Sequence, residues 1–434
     1  MRRLTLVLLA LAISALSLGL AACGDDEESS EGGGVEGGEV TLDLTLGQLV
    51  PLTGDLADFG EPGAKAGEVA LDQITTAIEE VGADHTVELL TEDDQTTEQG
   101  GISGAQALSQ GGASCIAGSW ASSVTIPVAE SVAADEEIVL ISPASTSDEI
   151  TDLDDDGFLN RTAPPDSFQG PTLADFIEQE LGGAEGMTVN IGARNDPYGT
   201  GLAETFTAAW EGKGGEIGSE TIYEPEAATY DSEASDIVEG DPDAYVIIDF
   251  PETYAKVGPA LVGTGDFDAT KAFVTDGLIS GDLAKDAGDD AVVGMRGTAP
   301  GSPEEGEAPA AFDEAYTSFD PTDVERMTFD AQNFDAVVLC YLAAVAAGSA
   351  EGADMEATVR EVSAAPGDQY TFEDLAGAIE ALQAGDDIDY EGASGSIEMD
   401  DTGDATAGVY DTYEFSPDGA PEVVGEVEVA EKAE

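Results

Sequence analysis

From Leu42 onward the chain repeats one pattern: a short apolar run, a loop rich in glycine or polar residues, then apolar positions three and four apart. Leu42 to Val50 alternates and stops at Pro51, which predicts a strand, while Gly63 to Glu80 gathers Ala66, Val69, Ala70, Ile74 and Ile78 on one helical face. Strands are expected at Thr86 to Leu90, Cys115 to Gly118 and Glu137 to Ile141, with helices at Gln99 to Gln110 and Val124 to Ala134. After Arg161 the alternation restarts: helices at Asp166 to Leu181, Gly199 to Gly212 and Tyr254 to Gly263 interleave with strands at Met187 to Ile191, Glu216 to Tyr223, Tyr245 to Asp249 and Ala272 to Thr275. Strand and helix alternating in this way predict two doubly wound α/β halves with parallel sheets and right-handed crossovers.

Beyond Asp276 the pattern changes. A strand at Val292 to Thr298 leads to helices at Ala308 to Phe319, Thr328 to Gly348 and Thr371 to Gln383. Two alternating segments, Ser394 to Met399 and Ala407 to Phe415, flank an Asp-Asp-Thr-Gly-Asp turn and predict a closing hairpin.

Charge changes the picture of the surface. Across 434 residues, 92 Asp and Glu stand against 13 Lys and Arg, a formal charge of −79, yet 42% of residues are hydrophobic. That much apolar sequence builds a core, so the acid coats a folded body. Such a polyanion repels phosphate backbones and anionic headgroups, which excludes a nucleic-acid partner and a charge-driven membrane contact. Acid spread along the whole chain is the signature of a halophilic surface, on which salt screens self-repulsion.

The first 40 residues read differently. Arg2 and Arg3 precede an uncharged apolar run from Leu4 to Leu20, then Leu20-Ala21-Ala22-Cys23-Gly24. This is an export signal over residues 1–22, the alternative being a membrane span of nearly the required ~20 residues. Residues 23–40, glycine-rich among Glu, Asp and Ser, form an acidic tether. The small residues before Cys23 resemble the lipobox of bacterial lipoproteins, and that resemblance implies lipidation of Cys23 and a body held outside the cell membrane by its lipid alone. Cys115 and Cys340 are then left, 225 positions apart, and are expected as buried free thiols.

In order along the chain, Leu49-Val50-Pro51-Leu52-Thr53-Gly54-Asp55-Leu56-Ala57-Asp58-Phe59-Gly60, Ala117-Gly118-Ser119-Trp120-Ala121-Ser122-Ser123, Ile141-Ser142-Pro143-Ala144-Ser145-Thr146-Ser147-Asp148-Glu149-Ile150-Thr151, Phe158-Leu159-Asn160-Arg161-Thr162-Ala163-Pro164 and Asp196-Pro197-Tyr198-Gly199-Thr200-Gly201 resemble the type I periplasmic binding proteins of ABC transporters, in the leucine/isoleucine/valine-binding branch. The resemblance implies two Rossmann-like three-layer lobes joined by a three-strand hinge. The first lobe is expected to take residues 41–163 and 300–393, the second 164–299 and 394–434. It also implies a ligand set: Ser122, Ala144 and Thr146 for a carboxylate, Asp276 for an ammonium, and Tyr198, Phe250 and Phe59 as covering and lining aromatics. Loops at the carboxyl ends of parallel strands, feeding helix N-termini, suit an anion. Asp276 stands where many relatives carry Glu, and Trp120 is a bulky departure in the second loop.

Chemistry other than binding finds little support. The one histidine, His85, has no Ser, Cys or metal-ligand motif around it, and no phosphate loop is present, so no catalytic residue, cofactor or enzyme activity is expected. Asp152-Leu153-Asp154-Asp155-Asp156-Gly157 has the start of a calcium-loop spacing, but its twelfth position is Ala163, and a solvated acidic loop without metal is expected. The expected function is capture of an amino acid, of branched-chain type, for an ABC permease outside the membrane. A binder of an amide, urea or aromatic acid, and a ligand sensor in a signalling system, are the alternatives.

Overall fold

A computed structural model describes residues 41–303, 307–319 and 324–430. The export signal, Cys23 and the 23–40 tether lie outside the described residues. Fifteen strands form three sheets among those described: β1 (Leu42–Val50), β2 (His85–Asp93), β3 (Ala113–Gly118), β4 (Val139–Ser142), β5 (Leu159–Arg161), β6 (Thr188–Arg194), β7 (Glu216–Tyr223), β8 (Ala244–Ile248), β9 (Ala272–Val274), β10 (Arg296–Pro300), β11 (Asp368–Thr371), β12 (Ile388–Gly392), β13 (Gly395–Ser396), β14 (Ala407–Phe415) and β15 (Pro421–Ala430).

The first sheet, β2-β1-β3-β4-β5, is parallel throughout. The second, β15-β14-β10-β9-β8-β6-β7, is parallel from β7 to β10 and antiparallel through β14 and β15. A small sheet, β11-β12-β13, follows the late helices. The central strands β3, β4, β8 and β9 are almost wholly buried, as expected of parallel strands covered by helices on both faces.

The late helix Asp330–Ala347 belongs to the first sheet although it follows the second in sequence. It is buried almost all round. Cys340 on this helix is disulfide-bonded to Cys115 on β3, with the Cα atoms 5.7 Å apart. The expected free thiols are thus corrected: the returning helix lies directly against β3, a proximity that a separation of 225 residues hides.

Three crossings join the two sheets, after β5, after β10 and before β14. They are tied to one another. The fully buried Arg161 reaches Asp404 through Nε at 2.6 Å and Nη2 at 2.8 Å, and its backbone N–H donates to Gly403 O at 2.9 Å. Thr162 donates to Gln332 O, and the Gln332 amide donates to Gly301 O. This engagement explains a second correction. The expected hairpin of Ser394 to Met399 with Ala407 to Phe415 reduces to a single Met399–Ala405 bridge, because Gly403 and Asp404 in its turn are held by Arg161. The true hairpin lies one strand later, with β14 paired to β15 from Ala407–Ala430 to Phe415–Pro421.

Two helices also depart from expectation. The helix expected at Val124 to Ala134 runs only from Ser122 to Val128 and passes into a wider π turn over Ala129–Ala133, since Pro127 brings no N–H to the ladder. Helix Gly352–Val362 was not expected; it buries Met355, Val359 and Val362 as its apolar face, a sparse signal among acids. No single described helix is long and apolar enough to cross a membrane.

Candidate functional site

The loops at the carboxyl ends of β1, β3, β4, β6, β8 and β9 converge on one small cavity of ≈ 20 Å³ between the sheets. Phe59, Ser122, Ala144, Tyr198, Phe250 and Asp276 all line it, together with Leu56, Trp120, Ala121, Gly277 and Phe329. Six of the seven residues expected at the ligand are therefore brought together. Thr146 is not on the wall; its buried hydroxyl stands behind, beside the Asp166 carboxyl.

Local sequence sets each position. After β1 the chain turns so tightly that a Cβ on Gly60 would lie 2.2 Å from Pro51 O, so glycine there lets helix Ala57–Val81 start against the strand end and turn Phe59 inward. Asp196 caps helix Pro197–Gly212 by accepting from Gly199 N–H at 2.9 Å, and Pro197 occupies the first helical position, which fixes Tyr198 in the first turn. Pro251 plays the same part after Phe250.

Ser122 is the first residue of its helix and not its cap; its Oγ accepts from Ser147 N–H at 3.2 Å, joining the second ligand loop to the third. Hydroxyls continue that joint: Ser142 donates to Ser119 O at 2.6 Å, and Thr125 and Ser145 share a hydrogen bond of 2.7 Å. On the facing side, the Tyr198 hydroxyl donates to Asp276 Oδ1 at 3.0 Å and accepts from Gly277 N–H at 3.1 Å, with Thr275 Oγ1 at 2.7 Å. Burial pushes the Asp276 carboxyl up to about 6, against the lowering effect of Gln169, Tyr198 and backbone N–H groups. Burial and the Asp276 charge raise Tyr198 well above its ordinary value, so it stays a donor.

The Phe250 ring is held by an aromatic and a cationic neighbour. Tyr198 stacks on it at 5.1 Å and 17°, and the Arg194 guanidinium carbon lies 3.7 Å from its centroid. Arg194 also contacts Asp196, Asp249 and, from the first ligand loop, Asp55 at 3.3 Å. Thr253 donates to the same Asp55 oxygen at 3.3 Å, and Ser280 donates to Asp58 at 2.5 Å. The loop after β1 and the first turn of the helix that follows it therefore grip three points around the second sheet.

Phe329 and Leu56 escaped the sequence reading. Phe329 sits at φ 72°, ψ −3°, a left-handed conformation unusual for a bulky residue, just before helix Asp330–Ala347. Its ring meets Trp120 edge to face at 6.3 Å and 83°. The strained backbone turns the ring toward the cavity, and no sequence signal announces it. Trp120, read as a departure, forms wall beside it.

In the acidic loop, Asp155 accepts from Gly157 and Leu159 N–H, so that carboxylate closes its own turn. His85, the first residue of β2, bonds the Tyr341 hydroxyl at 2.8 Å, and neither residue lines the cavity.

The sequence profile of the periplasmic binding protein family matches residues 43–385. A Leu/Ile/Val-binding protein homologue of Brucella abortus is 27% identical over 329 residues, which is 75% of this chain and 84% of the relative. Among solved structures, a leucine-binding protein of Thermotoga maritima superposes with a TM-score of 0.71 at 21% identity, covering 88% of this chain and 98% of that one. The substrate-binding protein of a branched-chain amino acid transporter from Streptococcus pneumoniae, in complex with isoleucine, gives 0.70 at 19% identity, covering 90% and 100%.

Proposed function

We propose, from the premise that this chain belongs to the periplasmic binding protein family, type I, in its Leu/Ile/Val-binding branch, that it captures an amino acid with an apolar side chain and delivers it to an ABC permease. The observation that carries this reading is the cavity itself, with a buried carboxylate and its tyrosine on one wall and joined hydroxyl loops on the other. An α-ammonium pairs with Asp276 while the α-carboxylate lies toward Ser122 and Ala144. Phe59, Leu56, Trp120 and Phe329 then surround an apolar side chain. Closing a zwitterion into a dry cleft strengthens both pairings, because the local dielectric is low.

The lobes that close are residues 41–163 with 300–393, and 164–299 with 394–434, hinged at the three crossings. Asp55 and Asp58 clasp the second lobe once it has closed. The family works outside the cytoplasmic membrane, and lipidation of Cys23 holds this member there by its tether.

Calorimetry with a panel of amino acids, benzoate, acetamide and urea tests the proposal. Leucine, isoleucine or valine should bind, and Asp276→Ala should weaken them by 100-fold or more, the ~3–5 kcal/mol expected when one partner of a buried pair is removed. Binding of benzoate or an amide with no amino acid would replace this reading. Undiminished binding by Asp276→Ala would end it.

A further inference from the structure

Trp120, in the second ligand loop, lines the cavity and is 2% exposed. The benzo edge of its indole lies against helix Ala57–Val81 at Gly63, where a Cβ would fall 2.3 Å from Trp120 Cζ2 and 2.5 Å from Cη2. Any larger residue at position 63 would displace the ring, so glycine there is what admits an indole. The loop that carries Trp120 is tied down as well. Ser145 Oγ donates to the Trp120 carbonyl at 3.1 Å, and Ser142 Oγ donates to the preceding carbonyl, that of Ser119, at 2.6 Å. Both bonds fasten it to the third ligand loop.

The neighbours of the indole are braced against one another. Phe329 meets it edge to face, and helix Asp330–Ala347 begins directly after Phe329. On that helix the Asn333 amide donates to Gly63 O at 2.9 Å, while the Tyr316 hydroxyl donates to Pro62 O at 3.2 Å. The helix that follows Phe329 therefore holds the same turn on which Trp120 rests. A ring wedged between a braced backbone and a second ring has little room to swing aside for a ligand.

The cavity behind these walls is ≈ 20 Å³, against roughly 10–15 Å³ for one buried water. Every α-amino acid carries the same ammonium and carboxylate to Asp276 and Ser122, so the restriction falls on the side chain. We propose that Trp120, braced by Gly63 and Phe329, is a size gate that sets the ligand class: small α-amino acids, alanine and valine, ahead of leucine, isoleucine and phenylalanine. The inference rests on the amino-acid reading above and narrows it. A methylene without space of its own drives packed side chains off their rotamers, and where those side chains are braced the cost appears as lost affinity. Leucine carries one methylene more than valine, and one methylene in an apolar pocket is worth about tenfold or more.

Calorimetry with alanine, valine, leucine and phenylalanine, on the wild type and on Trp120→Leu, tests the gate. The wild type should bind valine at least about tenfold more tightly than leucine. Trp120→Leu should raise the ratio of leucine to alanine affinity by at least about tenfold, because the space left by the indole takes the longer side chain while the charged ends keep their partners. If Trp120 only fills the wall, its replacement weakens alanine and leucine alike, and an unchanged ratio overturns the gate. Should Trp120→Leu not fold, Trp120→Phe, which keeps a ring for Phe329 to meet, should raise the ratio by a smaller factor. Trp210→Phe, on helix Pro197–Gly212 and outside the cavity, should leave the ratio at its wild-type value. A ratio that rises as far in Trp210→Phe also overturns the gate. Leucine bound by the wild type as tightly as valine would remove the gate and leave the amino-acid reading standing. No amino acid bound by either protein would end both.

Discussion

At the residue scale the carboxyl that lines the cavity, Asp276, is a raised one. Burial moves Asp276 from the ordinary 3.8 up to about 6. A raised carboxyl holds its proton in the folded state at pH values where the unfolded chain has released it. Folding stability from this group is therefore present at low pH and is lost as pH rises from about 4 through about 6. Ligand affinity runs the other way, because the ammonium needs the ionised form. Leucine affinity should rise up to tenfold per pH unit below about 6 and level off above it, and Asp276→Asn should flatten the profile in calorimetry between pH 5 and 8. Asp55 belongs to this scale too. Its pair with Arg194 is partly exposed, so Asp55→Asn should speed leucine release about threefold to tenfold, the ~1 kcal/mol scale of such pairs, with association nearly unchanged in stopped flow. An off-rate equal to wild type would remove the clasp from the mechanism. Tyr198 and Asp276 were legible because strand ends and an ordered motif set marked them. Phe329 was not, since a left-handed backbone at a phenylalanine is decided by the packing around it.

At the element scale the decisive placement is that of helix Asp330–Ala347. Its apolar run reads as helix from sequence, but its docking on β3 is a matter of topology. The Cys115–Cys340 disulfide fastens it there. Reduction, or Cys340→Ser, should lower stability by about 2–5 kcal/mol, read as a drop in the denaturant midpoint. Leucine binding should persist, because neither cysteine touches the cavity. A reduced protein with an unchanged midpoint would show the bond to be incidental. The misplaced hairpin teaches the same lesson. Turn chemistry at residues 400–404 was visible, yet Arg161 claims two of those residues, and β14 pairs with the following strand instead.

At the scale of the whole molecule, acid and core are separated by side-chain length. Among the described residues eight aspartates and no glutamate are buried, against 92 acids in the chain. Most of these short carboxylates take up internal hydrogen bonds, as Asp249, Asp276, Asp335 and Asp404 do, and the long ones keep to the less buried positions. Self-repulsion of a surface this acidic is relieved by screening, so the unfolding midpoint should rise between low and molar NaCl; a midpoint independent of salt would refute the halophilic reading.

The sequence by itself determined the α/β alternation, the acidic coat, the family and the strand ends where a ligand would lie, because periodicity, composition and loop motifs are local properties. Tertiary structure alone decided which distant segments meet: Cys115 with Cys340, Arg161 with Asp404, and Phe329 with Trp120. Those contacts span long loops whose closure carries no local pattern, and only the packed fold brings them within reach.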